Sequence, residues 1–145
     1  MKIQGTPHRA IESDPETRTV RILDQTLLPH HIEWRDLNTV EDAAEAIQVM
    51  RVRGAPLIGA TAAFGYALAL RNGADDAALA TAYEMLLATR PTAVNLRWAL
   101  DRVRSFVEPL DADSRADAAW QEAVAINDLD VHTNETLGKH GMELL

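Results

Sequence analysis

Residues Gln48–Leu70 read QVMRVRGAPLIGATAAFGYALAL, a long apolar run behind two arginines and a glycine. From Ala55 to Leu70 it carries no charge, while Arg51, Arg53 and Gly54 stand directly before it. A bilayer-spanning helix needs about 20 predominantly apolar residues, so this run, interrupted by Gly59, Thr61 and Gly65, reads as a helix buried in a protein core. Gly54 marks the break from the helix before it, and Pro56 suits a first helical turn, where a missing N–H costs nothing. Two readings of the helix mouth follow. It is either a charged loop ahead of a core helix or a site for an anion.

Working outward, the segment before it is helical from Asn38. Thr39 followed by Asp42 forms an acidic capping box, and Val40, Ala43, Ala44, Ile47 and Met50 make one apolar stripe. Before that the pattern is β-type. TRTVRIL places Val20 and Ile22 on one face with Arg21 opposite, and HIEW repeats the alternation with Ile32 and Trp34. Asp14-Pro15 and Pro29 supply turn or edge signals.

After the central run, Asn72-Gly73 signals a helix end. Asp75 and Asp76 open a third helix through Leu79, Tyr83 and Leu86, stopped by Pro91. A fourth carries Leu96, Ala99, Leu100 and Val103 on one side and closes at Pro109. A fifth runs from Ser114 past Trp120, Ile126 and Val131 towards Leu137, weakened by Gly138 and Gly141. The expected fold is α+β, with a small antiparallel β-meander over 1–37 and a helical bundle over 38–145, together one N-terminal domain.

Composition bounds the function. With 145 residues, 47% of them hydrophobic and 25% charged, the chain suits one globular domain with a real core. The net charge of −8 argues against nucleic-acid or membrane partners. The absence of cysteine excludes disulfides, thiolate metal sites and a cysteine nucleophile within these residues. MKIQGTPHRA lacks the apolar core of a secretion signal, so a soluble cytoplasmic protein is expected.

Chemistry concentrates at two loop-to-helix joints. Arg53-Gly54-Ala55-Pro56 leads into the apolar helix, and Thr89-Arg90-Pro91-Thr92 leads into the fourth, with Pro91 suited to its first turn. A helix start exposes unpaired N–H groups and carries about half a positive charge, and an adjacent guanidinium adds a fork matched to phosphate oxygens. Gly54 lets the backbone approach a ligand. Two converging joints would make a phosphate pocket. The histidines do not carry metal-ligand spacing: His132, Glu135 and His140 read as a solvated helix face, and His8, His30 and His31 lie in polar or turn segments. Trp34, Trp98 and Trp120 are too scattered for a stacking platform. No dinucleotide loop, Walker sequence or Ser-His-Asp arrangement is present.

RVRGAPLIGATAAFG and RPTAVNLRWAL together resemble the methylthioribose-1-phosphate isomerases, with support from LDQTLLP and HTNETLGKHGMELL. That superfamily also holds ribose-1,5-bisphosphate isomerase and the regulatory subunits of translation initiation factor two-B. The resemblance implies an aldose–ketose isomerase of methionine salvage. It would convert 5-methylthioribose 1-phosphate to 5-methylthioribulose 1-phosphate with no metal or organic cofactor. It implies substrate contact by Arg53, Gly54, Ala55 and Arg90, and assigns no role to Arg51, which reads as structural. It further implies a C-terminal Rossmann-like α/β domain holding a catalytic cysteine and aspartate. No catalytic residue is then expected in this chain, which alone would be inactive, truncated, nicked or paired with a second chain. A homodimer is implied as well. The alternatives are a ribose-1,5-bisphosphate isomerase and a non-catalytic regulatory or interaction module.

Overall fold

The computed structural model describes residues 1–145. A two-residue hairpin, β1 (Lys2–Ile3) with β2 (Thr6–Pro7), precedes β3 (Ile11–Asp14), β4 (Thr19–Leu23) and β5 (Trp34–Leu37). The last three form an antiparallel sheet in the order β3-β4-β5, which is the expected meander. Its first turn is built by Asp14, whose carboxylate accepts from the N–H of Glu16 (2.8 Å) and Thr17 (3.1 Å). Val20 and Ile22 are buried and Arg21 is exposed, as the alternation predicts.

The HIEW reading is corrected. Ile32 is exposed and lies outside the strand, which starts at Trp34. Trp34 pairs with Leu23 in register, while Leu37 lies opposite Val20 and fills the core. Trp34 therefore shares the outer face with Arg21, whose guanidinium sits 4.7 Å from the indole centroid. A one-residue difference in phase moves a side chain to the other face, and short alternations leave that phase open.

The helices are α1 (Val40–Gln48), α2 (Ala55–Ala69), α3 (Asp76–Thr89), α4 (Val94–Val107) and α5 (Ala112–Glu143). Thr39 caps α1, and both bonds of the capping box with Asp42 are present. The stripe ends earlier than predicted. α1 stops at Gln48, and Met50 is exposed with φ +63, so Gly54 is not its terminator. A β-type or turn residue in the left-handed region ends a helix as firmly as glycine does, and nothing in the type Met signals it.

α2 is the axis of the bundle. Residues Ile58–Leu68 are all buried, and α1, α3, α4 and α5 pack around them. A helix apolar on every side can only be stable when wrapped in this way. Close approach requires Gly65, because a Cβ there would lie 2.6 Å from the Ala43 Cβ and 3.2 Å from Leu86 Cδ2. Leu96, Ala99, Leu100 and Val103 on α4 are fully buried against it, as the spacing predicts. Ile11, Val20, Ile22 and Leu37 from the sheet join the same hydrophobic cluster as the helices.

Two helix boundaries differ from expectation. α4 begins at Val94, so Pro91 lies in the preceding turn rather than in the first helical turn. α5 begins at Ala112 and continues through Gly138 and Gly141 to Glu143, covering 32 residues. Its first half is anchored by buried Arg115, which donates to the carbonyls of Ala74, Glu108 and Leu110 (2.9 Å each) and to Asp76 Oδ1 (2.8 Å). From Asp128 onward none of its residues is buried. No helix is long and apolar enough to cross a membrane.

Candidate functional site: two helix starts at one corner

Arg53 and Gly54 close the loop between α1 and α2. Gly54 is the residue before α2, with φ +97 and ψ 130, and it makes no side-chain cap, while Pro56 occupies the first turn. The first N–H groups of α2 are thus not consumed by a capping side chain. α4 starts likewise: Ala93 precedes it and cannot cap it. Arg90 ends α3, and its carbonyl accepts from Ala93 N–H at 3.0 Å, which folds the Pro91-Thr92 turn tightly.

The packing of α2 on α4 brings these starts to the same side of the bundle. A Cβ at Gly59 would lie 3.0 Å from the Asn95 carbonyl oxygen and 3.4 Å from the Ala99 Cβ. Gly59 follows Ala55 by one turn, a rise of about 6 Å, and Asn95 belongs to the first turn of α4. Two positive helix ends therefore open at one corner. Arg53, Gly54, Ala55 and Pro56 are all exposed there, and Arg90 is half-buried.

The arginines at this corner differ from most others in the chain. Arg9, Arg18, Arg21, Arg35, Arg51, Arg102, Arg104 and Arg115 all pair with carboxylates. Arg53, Arg71, Arg90 and Arg97 do not, and Arg71 lies beyond the other end of α2. Arg97 reaches back over the turn, its Nη2 lying 3.5 Å from the Pro91 carbonyl. Arg53 and Arg90 are the two predicted from sequence, whereas Arg97 lies on the face of α4 opposite Asn95 and Ala99, the residues that meet Gly59.

The largest cleft adjoins the start of α2 only at Leu57. It holds about 870 Å³ between the N-terminal strands and α5, is lined by His8, Arg9, Glu12, Leu57, Asp130 and Glu135, and includes none of Arg53, Gly54, Ala55 or Arg90. Three carboxylates against one guanidinium make it a poor seat for an anion. The helix starts have the better chemistry for one.

A second feature missed by sequence reading lies behind the loop. Asp24, from the LDQTLLP stretch, is fully buried. Its Oδ1 accepts from the Thr26 N–H (3.0 Å) and hydroxyl (2.5 Å), and its Oδ2 from Arg35 Nε (2.5 Å) and Arg51 Nη1 (2.7 Å). Burial alone raises the carboxyl pKa, but the bonds from Thr26, Arg35 and Arg51 outweigh it and hold Asp24 well below the ordinary carboxylate range. Arg51 also grips Glu45 through Nε (2.9 Å) and Nη2 (2.7 Å), and Glu45 is lowered chiefly by those bonds. Arg51 is thus held by carboxylates on both sides.

The comparisons with known proteins agree on kinship. The sequence model of the initiation factor 2 subunit family matches residues 51–145. The methylthioribose-1-phosphate isomerase of Acidiphilium cryptum is 56% identical over the whole of this chain, which covers 40% of that protein. The 5-methylthioribose 1-phosphate isomerase of Pyrococcus horikoshii superposes with a TM-score of 0.86 at 39% identity, over all of this chain and 44% of that one. The delta subunit of translation initiation factor eIF-2B from A. fulgidus gives 0.85 at 34% identity, over 94% of this chain and 42% of that one. The chain thus spans about two fifths of the length of these relatives.

Proposed function

The chain belongs to the initiation factor 2 subunit family, and on that premise we propose that it supplies the phosphosugar-binding half of an aldose–ketose isomerase acting on 5-methylthioribose 1-phosphate. The observation that carries this reading is the corner where the starts of α2 and α4 meet beside Arg53 and Arg90, guanidiniums without carboxylate partners. A phosphate dianion seated there gains backbone N–H donors, two helix ends and planar forks at once. The Gly54 backbone leaves room for close approach.

The substrate explains why so much is devoted to holding phosphate. A phosphate on the anomeric oxygen blocks the spontaneous ring-opening of a free sugar. The ring must be opened with assistance, and hydrogen then moved from C2 to C1. An enediolate proton transfer and a hydride shift both need C1 and C2 held against the reacting group. A clamped phosphate provides that positioning. With no cysteine among its residues, the chain offers no thiol for the chemical step. We assign the bond-making groups to sequence outside these 145 residues.

A second reading is a regulatory module like the initiation-factor subunit, whose fold matches as closely as the isomerase's. Higher identity to isomerases, 56% against 34%, favours the enzyme. Calorimetric titration separates the readings. The chain should bind 5-methylthioribose 1-phosphate, bind 5-methylthioribose without phosphate far more weakly, and turn over neither. Equal affinity for the two sugars would refute the phosphate corner, and turnover by the chain alone would refute the outside assignment of the chemistry.

A further inference from the structure

The buried Asp24 network lies behind the loop that carries Arg53 and Gly54, and Arg51 joins it to that loop. The Gln25 N–H donates to the Arg51 carbonyl at 2.8 Å, and the Arg51 and Val52 N–H groups donate to the Ala46 carbonyl at 2.9 and 3.4 Å. The Arg51 side chain meanwhile spans Asp24 on one side and Glu45 on the other. One residue is thereby tied to the β4–β5 connection and to the last turns of α1. Val52, its neighbour, is fully buried. Beyond it the chain has only Arg53 and Gly54 before α2 begins.

We propose that Asp24 and Arg51 are positioning residues, a clamp that holds the 49–54 loop in the conformation that presents Arg53 and the Gly54 backbone to an anion. The proposal rests on the phosphosugar reading. The loop needs such a clamp because Met50, a non-glycine residue, is held at φ +63, and the chain turns again through the freely rotating Gly54 at φ +97. Without an anchor between them, the three-residue tether from Arg51 to α2 relaxes and carries Arg53 away from the helix start. The carboxylate of Asp24 suits the task because it is buried, charged, and faced by the forks of Arg35 and Arg51 with the Thr26 hydroxyl. An amide in its place keeps the shape but loses the charge that holds two guanidiniums.

Asp24→Asn and Arg51→Lys test this in the 145-residue chain, by amide hydrogen exchange and by titration with inorganic phosphate. The expected result is exchange at Gln25 and Val52 accelerated about tenfold beyond any change at Leu100 in the core, and phosphate affinity about tenfold weaker in the folded variants. A purely structural role would lower the melting temperature and leave the phosphate affinity of folded protein unchanged. Unchanged exchange at Gln25 and Val52, or faster exchange with wild-type phosphate affinity, overturns the proposal in whichever variant folds. Wild-type protein that binds no phosphate, with exchange still accelerated in the variants, refutes the phosphosugar reading and with it the clamp's role in binding, leaving the clamp to the fold alone.

Discussion

Replacing Gly54 by Ala isolates the backbone requirement of the loop-to-helix joint. Nothing lies within 4 Å of the position a Cβ would take, so no clash enters the result. What remains is φ +97 with ψ 130, which is outside the left-handed helical basin that Asn or Asp tolerate. Holding a non-glycine residue in such a region costs about 1–3 kcal/mol. The reduced freedom of the unfolded chain returns about 0.4–1 kcal/mol of that. A net loss of roughly 1–2 kcal/mol follows, or about 2–8 °C in Tm for a domain of this size. Urea denaturation measures it, with an unchanged m-value showing that the loss lies in stability and not in the denatured state. Gly54→Asn should fare no better, because ψ 130 is wrong for it. Gly138→Ala supplies the opposite sign: it lies inside α5 at ordinary helical dihedrals with nothing nearby, so Ala should be neutral to stabilising. A Gly54→Ala protein as stable as wild type would refute the argument that this joint depends on glycine.

Gly65→Ala should destabilise by contact instead, by about 1–3 kcal/mol in urea, because its Cβ would collide with the Ala43 Cβ deep between α1 and α2. Thr39→Ala removes half of the capping box and should cost about 1 kcal/mol in the same assay. For Asp24, the folded pKa is lowered below the unfolded value of about 3.9, so its stabilisation is fully present above that value and is lost as pH falls through the folded one. The stability gap between wild type and Asp24→Asn should therefore be largest near neutrality and shrink below about pH 4, as followed by urea denaturation across pH.

Features that rest on local chemistry were legible in the sequence. Thr39 with Asp42, Asn72-Gly73 and Asp75 predict helix ends because caps act through residues a turn apart. The burial of α2 follows from its charge-free run, and that of the Leu96–Val103 stripe from periodicity. Features that depend on distant partners were not legible. Asp24 looks like any turn aspartate until Arg35 and Arg51 meet it from different elements. The early end of α1 at Gln48 is closed by backbone bonds from Met50 to Ile47 and from Arg51 to Ala46, with Met50 in the left-handed region, and the residue type Met does not announce it. The start of β5 was not legible in HIEW because the partner that fixes the register of Trp34, Leu23, lies across the sheet. Of the candidate site, sequence supplied Arg53, Gly54, Ala55 and Arg90, while their shared corner came only from the packing of Gly59 on Asn95 and Ala99.

The central claim is that the starts of α2 and α4 form one phosphate seat. The most direct measurement is a titration of isotope-labelled chain with 5-methylthioribose 1-phosphate, following backbone amide shifts in wild type, Arg53→Ala and Arg90→Ala. Saturable shifts at Gly54, Ala55, Val94 and Asn95 together are expected, with affinity about tenfold weaker in each variant and binding weakened by added salt. Shifts confined to the cleft around His8 and Glu135, or affinity unchanged by both substitutions, would contradict it.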